Sequence, residues 1–125
     1  MAQQTAVITG ATSGIGEVAA LSLARRGLRI VFVARDAARA AATLARLRAA
    51  GPGAHTIHIA DLSVIAGMKQ VGAAIAAAEP RIDLLLNNAG AVFMGRSRTV
   101  DGLAPSFATN HLAYYVLSLL LLPRM

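Results

Sequence analysis

Apolar residues in this chain gather in short unbroken runs separated by longer amphipathic stretches. The runs are TAVIT (Thr5–Thr9), RIVFVA (Arg29–Ala34), HTIHIA (55–60) and IDLLL (82–86). Runs of five or six residues of this kind predict strands, and those apolar throughout, such as RIVFVA and IDLLL, fit a sheet buried on both faces. Between them the apolar positions recur at helical spacing. Ile15, Ala19 and Leu23 share one helix face that continues to Arg26, and Gly27 stops it. Asp36 is placed to N-cap an Ala/Arg-rich helix ending at the Gly51-Pro52-Gly53 break, and Ser63 to cap a third helix that runs to about Ala78, before Pro80. A polar loop over 88–99 leads into a long apolar helix over 103–122, closed by Pro123. Strands alternating with helices cannot pair as hairpins, so the pattern predicts a parallel sheet with helices on both faces.

Composition changes the picture in one respect. The 125 residues are 56% hydrophobic and only 14% charged, with a mean hydropathy of +0.58. That is apolar for a free-standing domain, and it implies surfaces meant to be covered. The absence of cysteine excludes a disulfide framework, a thiolate metal site and a cysteine nucleophile. Twelve basic residues face six acidic ones, and all the basic residues but Lys69 are arginine. Arg25, Arg26, Arg29, Arg39, Arg46 and Arg48 fall mostly on helix exteriors without interleaved aromatics, so no nucleic-acid partner is expected. No stretch reads as a signal peptide and the longest apolar tract is far short of a membrane span, so the expected setting is cytoplasmic, with no membrane partner.

The candidate chemistry begins at the first turn. GATSGIG, residues 10–16, follows a strand and opens a helix. Such a turn leaves backbone N–H groups free, and the helix N-terminus adds partial positive charge, which suits a pyrophosphate. Gly10 permits the tight turn; Gly14 and Gly16 permit close approach of phosphate and strand. Glu17 rather than Lys-Ser or Lys-Thr follows, which excludes the phosphate loop of nucleoside triphosphatases. At the end of the second strand, where an acidic residue would hold the 2′-hydroxyl of NAD, stands Arg35, which can pair with a 2′-phosphate; Ser13 can donate to it. NADP(H) is therefore expected over NAD(H), with Asp36 assigned to its helix cap. Asp61-Leu62 follows the third strand, where Asp61 can accept from adenine and Leu62 cover the ring. Asn87-Asn88-Ala89-Gly90 ends the fourth, where the Asn side chains can bridge neighbouring strands and Gly90 leave room for ribose.

Together, Thr9-Gly10-Ala11-Thr12-Ser13-Gly14-Ile15-Gly16, Asp61-Leu62, Asn87-Asn88-Ala89-Gly90 and Asn110 resemble the short-chain dehydrogenase/reductase family, and TVDGLAPSFATNHLAYYVLS looks like its retinol-dehydrogenase-like branch. The resemblance implies a Rossmann-type sheet of order 3-2-1-4 over residues 1–125. It implies a cofactor site at Gly10, Thr12, Ser13, Gly14, Ile15, Gly16, Arg35, Asp61, Leu62, Asn88, Ala89 and Gly90. It also implies hydride transfer between a nicotinamide and a small-molecule alcohol or ketone. Of the family's catalytic Asn, Ser, Tyr and Lys, only Asn110 has a counterpart, in the role of holding a proton-relay water. Tyr114 and Tyr115 are followed four residues on by Ser118 and Leu119, and no Lys lies beyond Lys69. Both tyrosines are expected to be packing residues and His111 a structural one. The expectation is thus a cofactor-binding front half, incomplete at its C-terminus and inactive alone. The alternatives are a non-catalytic NADP(H)-binding module or an interaction protein pairing through an exposed sheet edge. The bare edge and apolar last helix predict a homo-oligomer or an aggregation-prone chain.

Overall fold

The computed structural model describes residues 2–125. Four parallel strands, β1 (Thr5–Thr9), β2 (Arg29–Ala34), β3 (Thr56–Ile59) and β4 (Leu84–Leu86), form one sheet in the order β3-β2-β1-β4. The order is the expected one. It follows from right-handed crossovers: two carry the chain outward from β1 on one side, and the third returns it to the other side. Helices α1 (Gly14–Arg25), α2 (Ala37–Ala50) and α3 (Ile65–Ala78) connect the strands.

Strand alternation divides the core into two layers. Ala6, Ile8, Ile30 and Phe32 point to the α1/α2 face, where they meet Ala20, Ala24, Ala40 and Leu47. Val7, Val31 and Val33 point to the other face and meet Val71 and Ile75 of α3, together with Leu117 and Leu121 from the C-terminal helix. All of these are essentially fully buried. Alanine on α1 and α2 lets those helices lie close to the sheet, which explains why an Ala-rich sequence still builds a dense core.

The polar ties sit at the opposite end of the sheet from the strand C-termini. Arg29, at the start of β2, makes a bidentate ion pair with Glu79 just after α3, and His55 Nδ1 accepts the Ile30 N–H at 2.9 Å. They are built into the frame and leave the other end of the sheet free for binding.

Four expectations are corrected. Strands three and four are shorter than 55–60 and 82–86, and β4 is only half buried, with Leu84 exposed. Ser63 does not cap α3. The N-cap position is Val64, the Ile65 N–H donates to Asp101 Oδ2 at 2.9 Å, and Ser63 instead donates to Asp61. The cap comes from a residue 36 positions away, so no local pattern could show it. The long final helix is segmented. A short α4 (Pro105–Phe107) passes into a π turn over Ala108–Leu112, then α5 (Ala113–Leu121) and a 3-10 turn over Leu122–Arg124. Pro105 starts this element at the position proline favours, so 103 and 104 lie outside it. Pro123 sits within the terminal 3-10 turn, where its missing N–H costs nothing. Among the described residues no helix is long and apolar enough to cross a membrane.

Candidate functional site

The strand register brings the first residues after each strand to one edge of the sheet. Ile8 pairs with Phe32 and with Leu86, and Val33 with His58. Gly10, Arg35, Asp61 and Asn88 therefore leave the sheet side by side, although they are far apart in sequence.

Close packing at the first turn demands glycine. Gly10 adopts φ +74°, and a Cβ there would lie 2.8 Å from the Ala89 Cα. A Cβ on Gly16 would lie 2.0 Å from the Gly10 carbonyl oxygen and 2.4 Å from Asn88 Nδ2. The first turn of α1 is thereby pressed against both the 10–16 turn and the 87–90 turn. Ser13, its N-cap, makes no side-chain hydrogen bond to the helix, and Ser13, Gly14 and Ile15 are exposed. The first-turn N–H groups of α1 thus have no side-chain cap among the described residues, at the positive end of the helix dipole.

A cleft of about 330 Å³ runs along this edge. Gly10, Thr12, Ala89 and Gly90 line it on the β1/β4 side, and Asp61 and Leu62 on the β3 side. Arg35 lines its outer end with Asp36 and Arg39. Ser13, Gly14, Ile15, Gly16, Asn88 and Asn110 are not part of the lining. The first four lie at the start of α1, and the two asparagines brace the wall from behind.

The charges at the outer end are sorted by their hydrogen bonds. Asp36 Oδ1 accepts the Arg39 N–H at 3.0 Å and so caps α2, as the sequence suggested. Asp61 Oδ1 accepts from the Ser63 hydroxyl at 2.6 Å and the Ser63 N–H at 2.9 Å. These two bonds, with the charge of Arg35, hold its carboxyl below the usual carboxylate range, while partial burial opposes them. Both carboxylates are occupied locally. Arg35 and Arg39, by contrast, enter no ion pair among the described residues. Arg39 was missed by sequence reading, which placed it on a helix exterior. Its place in the first turn of the helix that directly follows Arg35 was the available signal.

The 87–91 segment is tied down from two sides. Thr9 Oγ1 accepts the N–H groups of Asn88 and Ala89 at 3.0 and 2.9 Å, and Asn88 Nδ2 donates to the carbonyls of Thr9 and Gly10. The strand-bridging expected of an asparagine here is present. Asn110 Nδ2 donates to the Ala91 carbonyl at 2.8 Å, and its Oδ1 accepts the Ala91 N–H at 3.0 Å. Both ends of that side chain are therefore engaged by backbone. Tyr114, expected to be only a packing residue, donates its hydroxyl to the Ala89 carbonyl at 2.7 Å. Tyr115 and His111 are exposed and make no side-chain hydrogen bond to the site. Thr109 lines the cleft with a hydroxyl that has no partner among the described residues.

A cleft with glycine on one wall, an open helix N-terminus beside it and guanidinium groups among its lining suits a nucleotide cofactor. Comparison with known proteins agrees with this geometry. Residues 4–125 match the short chain dehydrogenase family model. Dehydrogenase/reductase SDR family member 13 of Bos taurus is 41% identical over 123 residues, 98% of this chain and 32% of that protein. Retinol dehydrogenase 13 of Homo sapiens is 36% identical over 124 residues, 98% of this chain and 37% of that protein. Among solved structures, a short-chain dehydrogenase from Sphingobium yanoikuyae in complex with NADPH superposes with a TM-score of 0.83 at 37% identity, over 97% of this chain and 48% of that one. The chain thus spans a third to a half of the length of these relatives, and by the family match and these likenesses it belongs to the short-chain dehydrogenase/reductase family.

Proposed function

We propose that this chain binds NADP(H) in preference to NAD(H) along the cleft, and that in the intact protein it serves hydride transfer between the nicotinamide and an alcohol or carbonyl substrate. The observation that carries the reading is the charge arrangement at the end of β2: Arg35 and Arg39 are free, while Asp36 is committed to capping α2. An unengaged Asp36 would favour a ribose 2′-hydroxyl; two free guanidinium groups favour a 2′-phosphate. The Sphingobium structure, which holds NADPH, supports the same choice.

The roles of individual residues follow from their positions. The N–H groups at the start of α1, around Ser13, Gly14, Ile15 and Gly16, bind the diphosphate, and Gly10 and Thr12 line its path. Arg35 and Arg39 hold the 2′-phosphate. Leu62 covers the adenine, and Asp61, kept ionised by Ser63 and Arg35, is placed to accept from its amino group. Ala89 and Gly90 form the wall against the ribose, with Asn88 and Asn110 fixing that wall. A nicotinamide dinucleotide bound here supplies the hydride or accepts it. Asn110 is the one residue in these 125 that matches the family's catalytic group. With its side chain on Ala91 it acts as a positioning residue, and the isolated chain does not turn over.

Titration of NADPH and NADH against the wild-type chain and Arg35→Asp tests the reading. Loss of a charged hydrogen bond of about 1.5–3 kcal/mol predicts NADPH binding weaker by roughly 10- to 150-fold, with NADH little changed. Unchanged discrimination would remove Arg35 from the site. With a panel of ketones and aldehydes, NADPH oxidation by the 125-residue chain should stay at background. Turnover abolished by Asn110→Ala would overturn the proposal of inactivity.

Self-association of this chain is favoured by a separate observation. β4 is the terminal strand, with Leu84 exposed at its start, and Leu119 and Leu122 on the last helical segment are 53% and 64% exposed. An unpaired apolar edge beside an apolar helix face drives association. Size-exclusion chromatography with light scattering should show oligomers, and a stable monomer would refute the expectation.

A further inference from the structure

The hydrogen bonds of the 88–91 segment leave a pattern that the roles above do not use. Ala89 gives its N–H to Thr9 Oγ1 and its carbonyl to the Tyr114 hydroxyl. Ala91 gives both its backbone groups to Asn110. Between them, the N–H and carbonyl of Gly90 have no protein partner among the described residues, and Gly90 lines the cleft. A Cβ on Gly90 would lie only 3.2 Å from Asn110 Oδ1, so the bare backbone is what admits the clamp from behind. Asn110 and Tyr114 are one turn apart on the same face of the last helical segment, and the π turn over Ala108–Leu112 contains the first of them. Two side chains from one helix thus grip the residues on each side of a single free glycine.

We infer that Tyr114 is a positioning residue for the cofactor: its hydroxyl fixes the Ala89 carbonyl away from the cleft and so sets the orientation of the Gly90 peptide groups that face the ligand. Without that bond, Ala89 is held only through its N–H, and the 89–90 peptide can rotate. The freed Ala89 carbonyl then turns toward the cleft in place of the Gly90 N–H, which replaces a donor by an acceptor on the wall that faces the ribose. The inference rests on the dinucleotide reading and adds to it a residue on the far side of the wall. Its effect is confined to the β4 end of the cleft. Arg35 and Arg39 line the cleft from the end of β2 and from α2, and the Tyr114 hydroxyl bonds to neither of them.

That separation gives the test. NADPH and 2′,5′-ADP, which carries the 2′-phosphate but neither the rest of the diphosphate nor the nicotinamide half, are titrated against the wild-type chain, Tyr114→Phe and Tyr115→Phe. Tyr115 is the control because it is exposed and its side chain makes no hydrogen bond among the described residues. Tyr114→Phe removes only one hydrogen bond, so NADPH should bind about 3- to 10-fold more weakly while 2′,5′-ADP changes less than 2-fold. Tyr115→Phe should change neither. Equal loss of both ligands in Tyr114→Phe, including loss through failure to fold, would assign the hydroxyl a general structural role and overturn the inference. Unchanged NADPH binding would overturn it as well. If the wild-type chain bound neither ligand, the dinucleotide reading itself would fail, an outcome distinct from both.

Discussion

Helices α1 and α2 start at the same edge of the same sheet, yet their first turns are treated in opposite ways. α2 is closed: Asp36 accepts the Arg39 N–H, as a stability-driven helix start should be. α1 is left open: Ser13 has the extended backbone of an N-cap and a capping-type side chain but makes no bond to the helix. An uncapped N-terminus forgoes about 1 kcal/mol. Its open N–H groups are of the kind a diphosphate needs, while at the start of α2 the Asp36 carboxylate is turned to its own helix and leaves Arg35 and Arg39 without an ion-pair partner among the described residues. The two helix starts act together, one offering donors and the other withholding an acceptor.

The largest effect should come from making α1 unable to reach its place. In Gly16→Ala the new Cβ would meet the Gly10 carbonyl, which is backbone and cannot swing aside. The helix start must move away, with a loss of about 3 kcal/mol in unfolding free energy and no measurable NADPH binding. Denaturant titration and a binding assay would show it, and a variant of wild-type stability would mean that the turn is softer than its spacing implies.

A second change removes the difference between the helices. Ser13→Asp gives α1 the cap that α2 already has. Stability should rise by about 0.5–1 kcal/mol, while NADPH affinity falls by at least roughly tenfold, about 1.4 kcal/mol, because a carboxylate now occupies the diphosphate's position. Opposite signs in the melt and the titration are the expected signature. If both improved, the open helix start would have no role in binding.

Opening α2 is the converse experiment. Asp36→Ala should cost about 1 kcal/mol of stability while leaving NADPH affinity unchanged or higher, since it removes negative charge beside Arg35 and Arg39. A clear drop in NADPH affinity at constant fold would show that Asp36 serves the ligand as well as the helix.

The sequence showed most of this edge because the features concerned are local. A glycine turn between strand and helix, Arg35 at a strand end and Asp36 three residues before Arg39 are each visible within a few positions. What escaped was non-local or depended on orientation. Asp101 capping α3 is set by tertiary folding of the 88–104 loop onto the start of that helix. Tyr114 looked like core because its neighbours Ala113 and Leu117 are core, and only the fold shows that its hydroxyl reaches a carbonyl 25 residues back. The segmented last helix was also illegible, because over so few residues the apolar periodicity does not separate α, π and 3-10 turns. Arg39 was readable and was passed over, since an arginine on an Ala-rich helix is usually only solvated.

The smallest effect concerns α3, the third helix starting at this edge, where Asp61 stands between the open and closed cases. Its carboxylate holds Ser63 and lines the cleft opposite Arg35. Its folded pKa lies below the ordinary value of 3.8, chiefly through the Ser63 hydroxyl, then the Ser63 N–H, with Arg35 adding a smaller share. A carboxyl with a depressed folded pKa binds a proton less readily folded than unfolded, so its contribution is complete above 3.8 and is lost as pH falls through the folded value. Asp61 is mostly exposed, so solvent screening limits the effect to about 0.5 kcal/mol. Asp61→Asn should therefore flatten only a small part of the acid limb of stability below pH 3.8 and leave the neutral plateau nearly unchanged. If the limb were identical in both proteins, the Ser63 bonds would contribute nothing to the ionised form, and Asp61 would be as free to meet a ligand as the start of α1 is.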